Sequence, residues 1–328
     1  MNPLLSTFQQ LKPWPRLLFF ISLTLIGAAV GGALGVLLLQ YITGLELNQL
    51  PDYMGQYENP VAMKHLSWYN SLSQLFVFLI PSIWFIWLVI GNFKKGLWLY
   101  TPQYTIVLIP LIILGISPVI NFVEILNHVL IPEGSWLESM ALPQEMELKN
   151  LTQGILKLET SGGLIWTIVA IILFPAICEE IAFRGVLQPV LGRITKNIQL
   201  SIWVTAFIFS FIHFQFYGFL PRMVLGALFG YMVVWTGSLW TSVVAHGLHN
   251  GLAFMAFREA GTMEPQELAP SDTGITLYLW LVIGIAALMF MAKRSVFYKR
   301  KDEFFGVPNS TKASPSALSR GEGTDPAN

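Results

Sequence analysis

Long apolar runs, separated by short polar clusters, dominate the pattern of this chain. A helix rises about 1.5 Å per residue, so crossing a hydrocarbon layer takes roughly 20 apolar residues. Eight segments meet or approach that length: 17–41, 72–90, 104–123, 162–180, 198–214, 223–235, 239–257 and 274–292. The fold class this predicts is all-α, a polytopic membrane helix bundle of about eight transmembrane helices. The first run carries Gly27, Gly31, Gly32 and Gly35, a small-residue pattern that lets helix backbones approach closely. Lys12 and Arg16 precede it as they would a signal peptide. The apolar stretch is too long for that role and shows no small-residue cleavage site, so a retained first span is expected.

Composition agrees with lipid as the main solvent. Hydrophobic residues make up 54% of the 328 residues and charged residues 12%, against roughly 25% charged in an average soluble domain. The formal net charge is zero, which leaves no basic footprint for nucleic acid. The expected partners are the lipid bilayer and a peptide or membrane-protein substrate. One cysteine, Cys178, excludes an internal disulfide framework. With the N-terminus inside, the inner segments hold Lys12, Arg16, Lys94, Lys95, Arg193, Lys196, Lys293, Arg294, Lys299, Arg300 and Lys301. The outer ones hold Lys64, Lys149, Lys157, Arg222 and Arg258. That asymmetry follows the positive-inside rule and places both termini in the cytoplasm. A bacterial plasma (inner) membrane is the expected location, with the endoplasmic reticulum as the alternative.

These patterns divide the chain into four parts. Residues 1–160 hold three spans and a polar extracytoplasmic stretch with room for a surface helix. Residues 161–257 form a core, 258–301 the last span and its basic flank, and 302–328 a disordered tail rich in Ser, Pro, Gly and Thr.

Charge inside the core is where chemistry is expected. Between 161 and 257 the acidic residues are Glu179 and Glu180, adjacent in an apolar helix, where an acid costs about 2.5–3.5 kcal/mol. Arg184 follows Glu180 by four residues, one turn along, and can neutralise it. Glu179 projects about 100° away and stays free for another task. His213 lies four residues after Phe209, and His246 four before Asn250, so the latter two share a helix face while His249 points about 60° elsewhere. The turn 195–197 is midway between Glu179 and His213, which puts both at one depth of an antiparallel helix pair. Lateral adjacency does not follow from spacing. Taken alone, each histidine is more often a hydrogen-bonded packing residue, and two acids could serve only to pin helix packing.

These residues resemble the CAAX-protease and bacteriocin-processing family, the type II CAAX prenyl endopeptidases. Its E-E-x-x-x-R motif is matched by Glu179, Glu180 and Arg184, its F-x-x-x-H motif by Phe209 and His213, and its H-x-x-x-N/D motif by His246 and Asn250. Each motif alone is weak; the three in order, each in an apolar span, are specific. The resemblance covers residues 164–256, under a third of the chain. It implies an intramembrane endopeptidase that needs no metal. By that resemblance Glu179 and His213 hold and activate a water, His246 and Asn250 stabilise the oxyanion, and Glu180, Arg184 and Phe209 organise the site.

Other readings stay open at this stage. A zinc-dependent protease could use Glu179, His213 and His246 as three ligands, although no H-E-x-x-H occurs. A cysteine protease through Cys178 would need that residue to face the site, yet it precedes Glu179 directly and faces another side. A transporter, or a non-catalytic scaffold or immunity protein, could also carry intramembrane acids and histidines. Arg222 has two readings, a contact to a substrate carboxylate or a headgroup anchor.

Overall fold

Proline sets much of the helix geometry. A proline inside a helix lacks the N–H for its backbone bond, and its ring clashes with the carbonyl four residues back. In the computed structural model, which describes residues 3–96, 104–158, 161–260 and 273–295, three intramembrane prolines each follow a wide π-type turn. Pro81 follows the turn Leu75–Leu79, Pro175 the turn Ile168–Leu173, and Pro189 the turn Ile181–Leu187. Widening the turn absorbs the clash and lets the helix run on.

The described residues are helical, with nine principal helices. These are α1 Pro13–Thr43, α2 Pro60–Ile90, α3 Thr105–Val129, α4 Trp136–Leu156, α5 Gly163–Thr195, α6 Ile198–Phe211, α7 Phe219–Thr236, α8 Leu239–Ala260 and α9 Thr273–Lys293. Five of them (α1, α2, α3, α5 and α7) are long and apolar enough to cross a membrane, and α6 and the 278–293 part of α9 are shorter apolar helices. Helix α8 is 22 residues long, but His246, His249 and Asn250 dilute its apolar character. Seven of the eight expected segments are helical throughout, in a multi-pass membrane bundle; the fifth, 198–214, is helical only to Phe211 and leaves His213 in the turn beyond it. The polar stretch after the third span holds α4, capped by the Ser135 hydroxyl on the Glu138 N–H. Lys299, Arg300, Lys301 and the expected disordered tail 302–328 lie outside the described residues.

Close approaches fix the packing. Gly27, Gly31 and Gly35 form one buried face of α1; a Cβ on Gly27 would sit 1.9 Å from the Phe76 carbonyl oxygen, and one on Gly31 2.6 Å from the Phe76 Cβ. Gly32 faces open space, so it is not part of the contact. Gly115 of α3 and Gly284 of α9 meet back to back. Four apolar clusters result among the described residues, and two of them flank the core. One gathers Phe20, Phe85, Val89, Phe183, Val186 and Phe209 from α1, α2, α5 and α6. The other gathers Ile109, Ile113, Phe229, Met232, Ala245 and Met291 from α3, α7, α8 and α9. Phe209 and Phe229, one from each, flank the polar residues of the core.

Candidate active site

The hairpin from α5 to α6 turns where its polar residues stand. Lys196 takes the left-handed conformation (φ 54°), and the Asn197 side chain accepts from the backbone N–H groups of Gln199 and Leu200. From this turn α5 and α6 run antiparallel, and they bring Glu179 and His213 together laterally as well as in depth. His213 Nε2 lies 4.0 Å from Glu179 Oε2.

Glu180 and Arg184 are fully buried, and Arg184 Nη1 donates to Glu180 Oε1 at 2.7 Å. Its Nη2 donates to the Gly226 carbonyl at 2.8 Å, where the missing side chain leaves room. The guanidinium carbon stands 4.6 Å from the Phe209 ring centre and 5.6 Å from that of Phe229, so two aromatic faces complete its solvation. Glu180 Oε1 also accepts from His246 Nδ1 at 3.0 Å. A carboxylate can only accept, so His246 carries its hydrogen on Nδ1 and presents Nε2 elsewhere. Its ring stacks on Phe229, with centroids 5.3 Å apart.

His213 is fixed by the same logic. Its Nδ1 donates to the Phe209 carbonyl at 2.7 Å, which leaves the lone pair of the neutral ring on Nε2, facing Glu179. Phe209 packs edge-on to both His213 and His246. Asn250 Nδ2 donates to the Ile171 carbonyl, in the wide turn before Pro175, at 3.2 Å.

Glu179, His213, His246 and Asn250 all line one cavity of about 560 Å³ between α2, α3, α5, α7 and α8. Cys178 is buried but does not line it. Among the described residues, no three His, Cys, Asp or Glu side chains are grouped to hold a metal ion. The cavity also takes residues that spacing did not single out: Asn70 and Gln74 from α2, Glu124 from α3, and His249, which the wide cavity reaches despite its different angle on α8. Gln74 shares the cavity lining with Glu179. Arg222 also lines the cavity and donates to Gln215.

The family described as type II CAAX prenyl endopeptidase Rce1-like matches residues 161–252. This stretch, the Rce1-like segment, is similar to that family. It contains every motif residue described above. The chain is also 33% identical over 83 residues to the uncharacterized protein YpbD of Bacillus subtilis (strain 168). That match spans 24% of this chain and 39% of the relative's length. No solved structure matches the chain. The Rce1-like segment supplies α5 to most of α8, while Asn70, Gln74 and Glu124 of the cavity lie outside it.

Proposed function

We propose that this protein is an intramembrane endopeptidase that hydrolyses a peptide bond in a membrane-associated peptide or protein, using a water activated by Glu179 and His213. The observation that carries the reading is the pair of acceptors, Glu179 Oε2 and the His213 Nε2 lone pair, facing each other across 4.0 Å. Two hydrogen bonds of about 2.8 Å from one water would close that triangle at roughly 90°, near the angle between a water's two hydrogens.

Glu179 takes one proton as the water oxygen attacks the carbonyl carbon. The C–O bond forms and the carbonyl oxygen gains the negative charge. His246, when both ring nitrogens carry hydrogen, with Nδ1–H on the Glu180 carboxylate and Nε2–H free to donate, and the second amide hydrogen of Asn250 stabilise that oxyanion. The C–N bond then breaks, and the proton held by Glu179 goes to the leaving nitrogen, which restores the carboxylate. In a water-poor cavity each such donor is worth about 10²-fold or more in rate. Arg184 pairs with Glu180, and Glu180 in turn holds the His246 ring through its Nδ1–H.

The Rce1-like description makes prenylated C-terminal peptides the first substrate class to try, and the relative from a bacterium supports a bacterial plasma membrane, while placing both termini inside rests on the asymmetry of basic residues along the sequence. The test that assumes no substrate is a comparison of protein C-termini in cells carrying the wild-type or the Glu179→Ala protein. Cleaved termini seen only with the wild type are expected. Identical sets, with both proteins folded in the membrane, would end the proposal. Chelation of divalent metal is expected to leave cleavage unchanged; loss on chelation and recovery with zinc would move Glu179, His213 and His246 into a ligand role.

A further inference from the structure

The cavity that holds Glu179 lies in one half of the bundle. Glu179 stands midway along α5, about 24 Å from either end of that helix. On α5 the lining stops at Glu179; α7 contributes from its start as far as Phe229, and α8 only from His246 to Phe257. Short turns make these helices alternate in direction, so the early parts of α5 and α7 and the later part of α8 share one end of the bundle. Thr152 of α4, with Gln215 and Gly218 of the turn before α7, forms the rim at that end, and each is partly exposed. The other direction is closed. The side chains of Glu180 and Arg184 keep no accessible surface, against 27% for that of His213 on the open side. One turn further along α5, buried Gln188 donates to the Gly230 carbonyl at 3.3 Å. Phe209 and Phe229 fill the space beside Arg184. A peptide therefore reaches Glu179 from one end of the bundle.

The two ends also differ in charge. Around the closed end stand Lys12, Arg16, Lys94, Arg193, Lys196 and Lys293, with no Asp or Glu among the described residues there. Glu46, Asp52, Glu58 and Glu124 all belong to the open end. Basic flanks stay on the cytoplasmic side of a membrane. We propose that the cavity opens to the extracytoplasmic face and takes an unfolded segment of an exported or membrane-anchored protein on that side. This rests on the endopeptidase reading above and narrows its substrate. A prenylated tail made in the cytoplasm would meet the closed layer of Glu180, Arg184 and Gln188, whereas a translocated segment meets the rim. The segment must be unfolded to enter, because a cavity of about 560 Å³ has no room for a folded domain. Protein export is thus the step that must supply this substrate, and cleavage follows translocation.

Single added cysteines report the side directly, since the native Cys178 is buried. Thr152→Cys and Glu124→Cys each put a thiol on the cavity wall, and the second serves if the first fails to fold. Glu58→Cys marks the open end and Lys94→Cys the closed end, both at exposed positions. Intact spheroplasts of a bacterial host are treated with a sulfonated maleimide, which does not cross lipid, and compared with permeabilised ones. Thr152→Cys, Glu124→Cys and Glu58→Cys are expected to label equally in both preparations, and Lys94→Cys only after permeabilisation. Wall positions that label only after permeabilisation overturn the inference, as does labelling of Lys94→Cys in intact spheroplasts. The substrate is read from protein C-termini in cells carrying the wild-type or the Glu179→Ala protein. Termini that depend on Glu179 should fall in exported proteins or outward-facing segments. Such termini confined to cytoplasmic proteins would overturn the inference and leave the endopeptidase reading standing. Identical sets of termini would end that reading and the substrate with it, while the labelling still decides on which side the cavity opens.

Discussion

Arg184 shows how a charge can be kept inside this bundle. Every strong contact it makes is supplied from within: Glu180 at one nitrogen, the Gly226 carbonyl at another, and aromatic rings of α6 and α7 against its face. Replacing it with methionine would leave Glu180 as a buried carboxylate whose remaining partner is His246. Breaking a buried pair in this way typically costs about 3–5 kcal/mol. Arg184→Met is therefore expected to lower the melting temperature in detergent sharply. Arg184→Lys should recover little, since an ammonium cannot reach both oxygens with the guanidinium's fork. The site residues should instead separate activity from stability. His213→Ala is expected to abolish cleavage with a near-normal melt. Asn250→Ala should weaken cleavage by about 10²-fold, as for loss of a single oxyanion donor, because His246 remains. A folded His213→Ala protein with full activity would contradict its place beside the water.

At the scale of helices, α1 acts on the site at second hand. Its glycine face lies on Phe76, two residues beyond Gln74, so the depth of that contact sets where α2 presents its amides. A side chain at Gly27 has no room beside the Phe76 carbonyl, and overpacking of this kind costs about 1–3 kcal/mol. Gly27→Leu is expected to lower both the melting temperature and cleavage, whereas Gly32→Leu, on an open face, should change stability by no more than about 0.5 kcal/mol. Equal effects from the two would mean that α1 does not pack on α2 in the membrane. The contrast also marks what could be read in advance. Four glycines announced close packing, but choosing the three that pack takes knowledge of which face meets a neighbour. The apolar run of the second span began at residue 72, yet α2 starts at Pro60, because Lys64, His65, Ser67 and Asn70 interrupt the run without interrupting the helix. Asn70 and Gln74 fell at that blurred edge, and a polar pair four residues apart was the signal that pointed to a cavity. Depth, by contrast, was legible: the turn at Thr195–Asn197 dictated that Glu179 and His213 come level.

For the whole molecule, the question is whether the Rce1-like segment is sufficient. Lipid tails are as apolar as leucine, so exposing the outer faces of α5 to α8 to the bilayer costs little by itself. What the segment would lose is polar support. Buried Asn127 of α3 donates to the carbonyls of Phe216 and Tyr217 and accepts from the Leu220 N–H, three bonds of 2.8–2.9 Å to the turn that follows His213. Gln74 of α2 shares the cavity lining with Glu179. The first half of the chain thus supports the turn beside His213 and completes the cavity wall around Glu179. Residues 161–328 expressed alone are expected to insert but not to cleave, and co-expression of residues 1–160 as a separate chain should restore cleavage, because the contacts between the halves are side-chain and packing contacts that need no peptide link. Asn127→Leu in the intact chain should reproduce part of the loss by loosening the His213 turn while α2 stays in place. Cleavage by residues 161–328 alone, at the rate of the intact protein, would reduce α1 to α4 to packing and leave the segment as the whole machine.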